Sequence, residues 1–288
     1  MGLRPALAAL LLAAGLLVPT ASTVPAGAAP AREAAGEPMA STERPRVTGD
    51  LRYGRTLRAT AGRWTRAPQA TRFQWFRGPD PIRGARAQRY TVRPEDVGRR
   101  LSVRVTARRD GAGRAWARSR WTDGVGHRVA VRRTVTYSVE TRGRVVVGLR
   151  GFRRQAQATY DDPRGWRGEG VRFRRVARGG DVSLVLAEAD EVPRFSSGCS
   201  ARWSCRVGRF VIINQARWRG ASAGWDRAGG SLRDYRHMVV NHETGHWLGR
   251  GHADCAGRGR LAPVMMQQSK GLDGCRPNPW PTVAELRD

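Results

Sequence analysis

The residues with the clearest chemical potential lie in one eleven-residue run, His-Glu-Thr-Gly-His-Trp-Leu-Gly-Arg-Gly-His, from His242 to His252. Three of the five histidines of the chain fall in it. His242 and His246 are four positions apart, so on a helix their imidazoles project from one face, about one turn from each other. That is the bite two ring nitrogens need to hold one zinc ion. Glu243 stands one step round the helix from His242. A carboxylate there lies beside a metal instead of on it, where it can take a proton from an attacking water. Gly249 can end the helix and turn the chain sharply, which brings His252 back as a third ligand. Three protein ligands leave one coordination position open, the arrangement of catalytic zinc sites and not of closed structural ones. His237 lies half a helical circumference from His246 and cannot join this set. It reads as an ordinary histidine, as does His127.

Such side chains need a helix to hold them, and the sequence carries its signals. Leu232, Tyr235, Val239, His242 and His246 follow one helical face. Ser231 is a natural N-cap, with Asp234 at capping-box spacing. Upstream, residues 134–140, 171–176 and 182–187 read as strands, and 210–214 is a continuous apolar run suited to a buried strand. Leu149, Phe152 and Ala156 have helical spacing across 149–160, and the Asp-Asp-Pro-Arg-Gly that follows stops that helix. Strands alternating with helices predict a mixed α/β (α+β) domain over 134–288. Residues 45–122 instead show short alternating strands, at 56–60, 71–76, 89–92 and 101–107, with turn residues between them. They predict a small all-β sandwich with Trp64 and Trp75 in its core. The Ala-, Glu- and Pro-rich residues 29–44 read as a linker without a core, and 123–133 as a second connection.

The first 28 residues have the order of a secretory signal peptide: Arg4, an apolar run over 6–18, then Ala26-Gly27-Ala28. The run is too short to remain as a transmembrane helix, and no other segment is long and apolar enough. Export makes the four cysteines readable as disulfides. Local closure favours Cys199–Cys205 and Cys255–Cys275, although the sequence alone does not choose among the three pairings. A structural zinc on the four cysteines is disfavoured, because no Cys-x-x-Cys spacing occurs. The chain carries 52 basic residues against 24 acidic ones, for a net charge of +28. They recur every few positions, as solvated charge spread over an arginine-rich chain does. Attraction to an anionic cell-envelope surface is the functional reading of the same charge. Nucleic acid is excluded as a partner by export and by the lack of an aromatic-basic motif.

Within 45–122, the stretches GRTLRATAGRW, FQWFRGPDPIRGA and YTVRPEDVGRRLSVRVTA resemble the immunoglobulin-like modules of exported actinobacterial proteins. That resemblance implies an accessory or binding module. The run HETGHWLGRGH resembles the extended motif of the metzincin clan of metallopeptidases, and most of all its matrixin branch. The clan carries a methionine turn under the metal, for which Met265 of the following APVMMQQ stands as candidate, ahead of Met266. GDVSLVLAEAD and FVIINQARW resemble the clan's third strand and the strand before its active-site helix. DDPRGW, VVNHETGHWLG, APVMMQQ and GLDGCRPNPWP together resemble an uncharacterised secreted actinobacterial family over about 134–282. The chain also departs from the clan's pattern at several points. No tyrosine follows the methionine turn, the connection from His252 to Met265 is short, and no pro-segment cysteine precedes the domain. The resemblance implies a metzincin-like zincin domain with a mixed sheet and an active-site helix. It further implies a Zn2+ cofactor on His242, His246 and His252, with Glu243 as catalytic base. The expected activity is a secreted zinc metallopeptidase acting on polypeptide. A hydrolase of cell-wall peptide amides and a non-catalytic zinc-binding envelope or adhesion protein are the alternatives.

Overall fold

The computed structural model describes residues 37–286. The expected signal segment 1–28 and residues 29–36 of the expected linker lie outside them.

The N-terminal part is built only from strands and turns. Its strands are β1 (Ser41–Glu43), β2 (Val47–Thr48), β3 (Thr56–Ala59), β4 (Arg63–Trp64), β5 (Ala70–Arg77), β6 (Asp80–Pro81), β7 (Arg89–Thr91), β8 (Leu101–Arg109) and β9 (Gly113–Arg118). They form a four-stranded sheet in the order β6-β5-β8-β9, a three-stranded sheet β2-β3-β7 and the pair β1-β4. Strand β8 shows the reason: Leu101, Val103, Val105 and Ala107 are fully buried while Arg104 is exposed, the period of two that puts one face on a core. Trp75 fills that core, stacks on Tyr90 and donates its indole N–H to the Ala87 carbonyl at 2.9 Å.

Two boundaries differ from the sequence reading. Part of the expected linker is folded: Met39 is buried in this core, its N–H bonds the Ala112 carbonyl at 2.9 Å, and β1 pairs with β4. In the expected connection 123–133, Val125 is buried in the same core and residues 124–126 form isolated bridges to Arg100, Val97 and Arg52 of the N-terminal part.

The second part alternates strands and helices: β10 (Arg133–Arg142), α1 (Leu149–Asp161), β11 (Val171–Arg175), β12 (Val182–Ala187), β13 (Cys205–Val207), β14 (Phe210–Asn214), α2 (Gln215–Gly220), α3 (Ala223–Arg227) and α4 (Leu232–Trp247). This is the expected mixed α/β arrangement. The sheet runs β11-β10-β12-β14-β13, with every ladder parallel except the antiparallel edge pair β13–β14. All six residues of β12 are buried, which is why that strand is continuously apolar or small. Helices α1 and α4 pack on each other over the sheet, around Tyr137, Phe152, Tyr160, Trp166 and Leu184. Helix α4 starts at Ser231, whose hydroxyl oxygen accepts the Asp234 N–H at 3.0 Å. Asp234 answers the Ser231 hydroxyl at 2.8 Å instead of the N-cap amide that a longer Glu would reach. After the helix, Gly249 takes a φ of 91°, the left-handed region that favours glycine, and the chain turns back. No helix among the described residues is long and apolar enough to cross a membrane.

Candidate metal centre

Helix α4 carries His242 and His246 on one face, and the turn at Gly249 returns His252 to meet them. The Nε2 atom of His246 lies 3.2 Å from that of His242 and 3.1 Å from that of His252. The ligand atoms of all three lie within 4.8 Å of one another. Tetrahedral nitrogen ligands at about 2.0–2.1 Å from a zinc ion stand roughly 3.3 Å apart, so the cluster fits such an ion closely.

In two of the three rings the other nitrogen is already engaged. His242 Nδ1 donates to the Val264 carbonyl at 2.8 Å, and His246 Nδ1 to the Arg250 carbonyl at 2.9 Å. A carbonyl can only accept, so the proton sits on Nδ1 and the Nε2 lone pair is left for a metal. Burial, opposed by the Val264 carbonyl and helped by the neighbouring imidazoles, pushes the His242 pKa down to about 3. Burial also lowers His246 and His252. Three neutral imidazoles are the ligand form zinc requires.

Glu243 is buried and faces the same cleft. Burial pushes its carboxyl up to about 8, against the pull of Arg206. A cation held by the adjacent histidines would draw it back down. The cleft has a volume of about 350 Å³. One wall is the loop 198–206, pinned by the Cys199–Cys205 disulfide, and the other is 266–270. The Cys255–Cys275 disulfide ties the chain after His252 to the segment beyond the methionines. Both pairs are those that local closure favours.

Met265 and Met266 occupy different places. Met265 is buried under α4, so close to Gly245 that a Cβ there would overlap its sulfur. Its carbonyl accepts the Ala253 N–H at 3.2 Å, next to His252. Met266 lines the cleft. His237 and His127 stay outside the cluster: His237 is buried against Trp280 and bonds Thr159 Oγ1 at 2.8 Å.

One residue escaped the sequence reading. The Glu285 carboxylate accepts from the backbone N–H groups of Val264 at 3.1 Å, Met265 at 2.8 Å and Thr282 at 2.7 Å, and from the Thr282 hydroxyl at 2.8 Å. It thereby fixes the peptide whose carbonyl orients His242. Its signal was present: Thr282 and Glu285 have capping-box spacing. Further clamps hold the helix and the turn after it. Trp166 Nε1 donates to the Asn241 carbonyl at 2.9 Å, Tyr160 meets Thr244 at 3.1 Å, and Arg250 pairs with Glu169 at 2.9 Å.

Residues 123–277, just over half of the chain, match a family described as "Protein of unknown function (DUF3152)". The matched segment contains the three histidines, Glu243, Met265 and all four cysteines. A search of curated proteins finds no match.

Proposed function

Since the chain belongs to the DUF3152 family, whose function is unknown, its activity has to be read from its own site, and we propose that it is a secreted zinc-dependent peptidase of metzincin-like type. The observation that carries this reading is the convergence of three Nε2 lone pairs beside a buried carboxylate, at the floor of an open cleft. His242, His246 and His252 would hold the ion. When bound, zinc supplies Lewis acidity toward a substrate carbonyl and acidifies water to near neutrality, about pKa 7 in well-studied sites. Glu243 takes the proton of the attacking water and later passes it to the leaving amine. The Val264 carbonyl on His242 and the Arg250 carbonyl on His246 keep those two imidazoles from turning away, and the Met265 carbonyl holds the backbone at Ala253, next to His252. Strand β13 lies at the sheet edge, and its residues Cys205 and Arg206 line the cleft. Its outer side can pair with an extended peptide backbone, which favours polypeptide as substrate. Met265 acts as the methionine turn in this reading, and the N-terminal sheets as an immunoglobulin-like accessory module.

The deciding experiment is a digest of an unbiased peptide library and of purified cell-wall fragments by the full chain, with and without a zinc chelator. Chelator-sensitive cleavage of library peptides is expected. Cleavage of wall fragments alone would move the assignment to a cell-wall amide hydrolase. Bound zinc with no cleavage of either would leave a non-catalytic zinc protein.

A further inference from the structure

Far from the histidines in sequence, the outer face of the β6-β5-β8-β9 sheet carries an unusual surface. Strand β9 is at the sheet edge, and its Ala115 and Ala117 pack toward the core. By the period of two, Trp116 and Arg118 then point outward. Trp116 is 63% exposed and Trp121, just after the strand, is 38% exposed. They are the only exposed tryptophans among the described residues, and they line one groove. Arg44, Arg100, Arg118 and Arg120 line the same groove, and no carboxylate does. Among the described residues none of these four arginines forms a salt bridge.

Arg118 is built in and does not wave freely. Its guanidinium carbon lies 4.1 Å from the Phe76 ring centroid and 4.3 Å from that of Trp121. Its Nε donates to Ser102 Oγ at 2.8 Å. Burial and the nearby Arg104 both disfavour its charge. The stack therefore holds a cation in place with no anion of its own, beside a largely exposed indole. Planar aromatic faces suit the C–H faces of sugar rings, and fixed guanidiniums suit carboxylates or phosphates.

We propose that this groove is a binding site for an anionic polysaccharide, with Trp116 and Trp121 stacking on sugar rings and the four arginines meeting their acidic groups. A polyanion without sugar faces would use the arginines and leave the indoles idle. Two disulfides fit an oxidising compartment outside the cytosol, where a glycan of the cell envelope is within reach of the chain. The site is independent of the metal cleft, since none of its residues lines that cleft.

The test is isothermal titration of the full chain, at physiological salt, with polygalacturonate, neutral dextran and single-stranded poly(dT). Polygalacturonate should bind and dextran should not. Trp116→Ala and Trp121→Ala should each weaken polygalacturonate binding about tenfold. Trp116 is mostly in water, so its variant keeps the fold, and its result decides alone if Trp121→Ala misfolds by unstacking Arg118. Absence of polygalacturonate binding would overturn the proposal. So would unchanged affinity in Trp116→Ala, which would leave charge alone at work. Poly(dT) binding as tightly as polygalacturonate, with the same dependence on Trp116, would make this a nucleic-acid surface and would equally overturn it.

Discussion

The two sides of helix α4 carry buried histidines in opposite surroundings. His242 is 8% exposed and His237 is 5% exposed, so burial does not distinguish them. On one side His242 gives its Nδ1 proton to a backbone carbonyl and turns its Nε2 toward two other Nε2 atoms. On the other side His237 bonds Thr159 and packs against Trp280. What sets a candidate metal site apart is thus convergent ring nitrogens, two of them with tautomers fixed by backbone carbonyls, and an imidazole in the core is only a packed side chain that happens to be polar.

The largest effect should come from removing a convergent ligand. His246→Ala should lose bound zinc and all hydrolysis, as read by elemental analysis and peptide turnover. Equal zinc content in variant and wild type would erase the distinction between the two sides. Next comes Glu243→Gln, which keeps the volume and removes the proton acceptor. It should retain zinc and the fold while turnover drops at least about 10²-fold. Wild-type turnover in that variant would show that Glu243 takes no part in proton transfer.

Smaller still should be the effect of loosening the peptide behind His242. Glu285→Gln places an amide N–H₂ among backbone donors that need an acceptor. Zinc affinity, measured by competition with a chromogenic chelator, should fall about tenfold, the lower end for a lost outer-shell partner. Unchanged affinity would mean that Val264 is held without Glu285. The smallest effect belongs to the opposite side. Burial holds His237 below the ordinary histidine pKa, so the unfolded chain takes a proton, near pH 6.5, that the folded chain resists. Its stabilising contribution is complete at neutral pH and is lost as pH falls below that point. His237→Gln should therefore flatten the decline of Tm between pH 7 and pH 5 without changing zinc content. An identical slope would show that His237 is not among the groups that acidify the fold.

Local patterns carried much of this protein. The His242, Glu243, His246 and Gly249 spacing stated a helix, its face and its end, because a 3.6-residue period and a left-handed glycine are properties of neighbours in sequence. The strands at Val182–Ala187 and Phe210–Asn214 were legible to the residue, since buried parallel strands are continuously apolar. The short strands of the N-terminal part were less so, and β9 was missed. Its Gly-Arg-Ala-Trp-Ala-Arg alternates small and bulky residues, with the bulky ones facing out.

Contacts between distant segments were decided only in three dimensions. No local rule says that Met265 underlies Gly245 while Met266 faces the cleft, that Val264 orients His242, or that Glu285 locks both. Met39 likewise looked like linker until a core elsewhere offered it a place. The same holds for the groove that joins Arg44 and Arg100 to Trp116. The sequence by itself determined which side chains could bind a metal and the helix that bears two of them. The tertiary structure decided which backbone carbonyls would fix their tautomers, because those carbonyls arrive through loop closure, and loop closure depends on the packing of the whole sheet and not on any one segment.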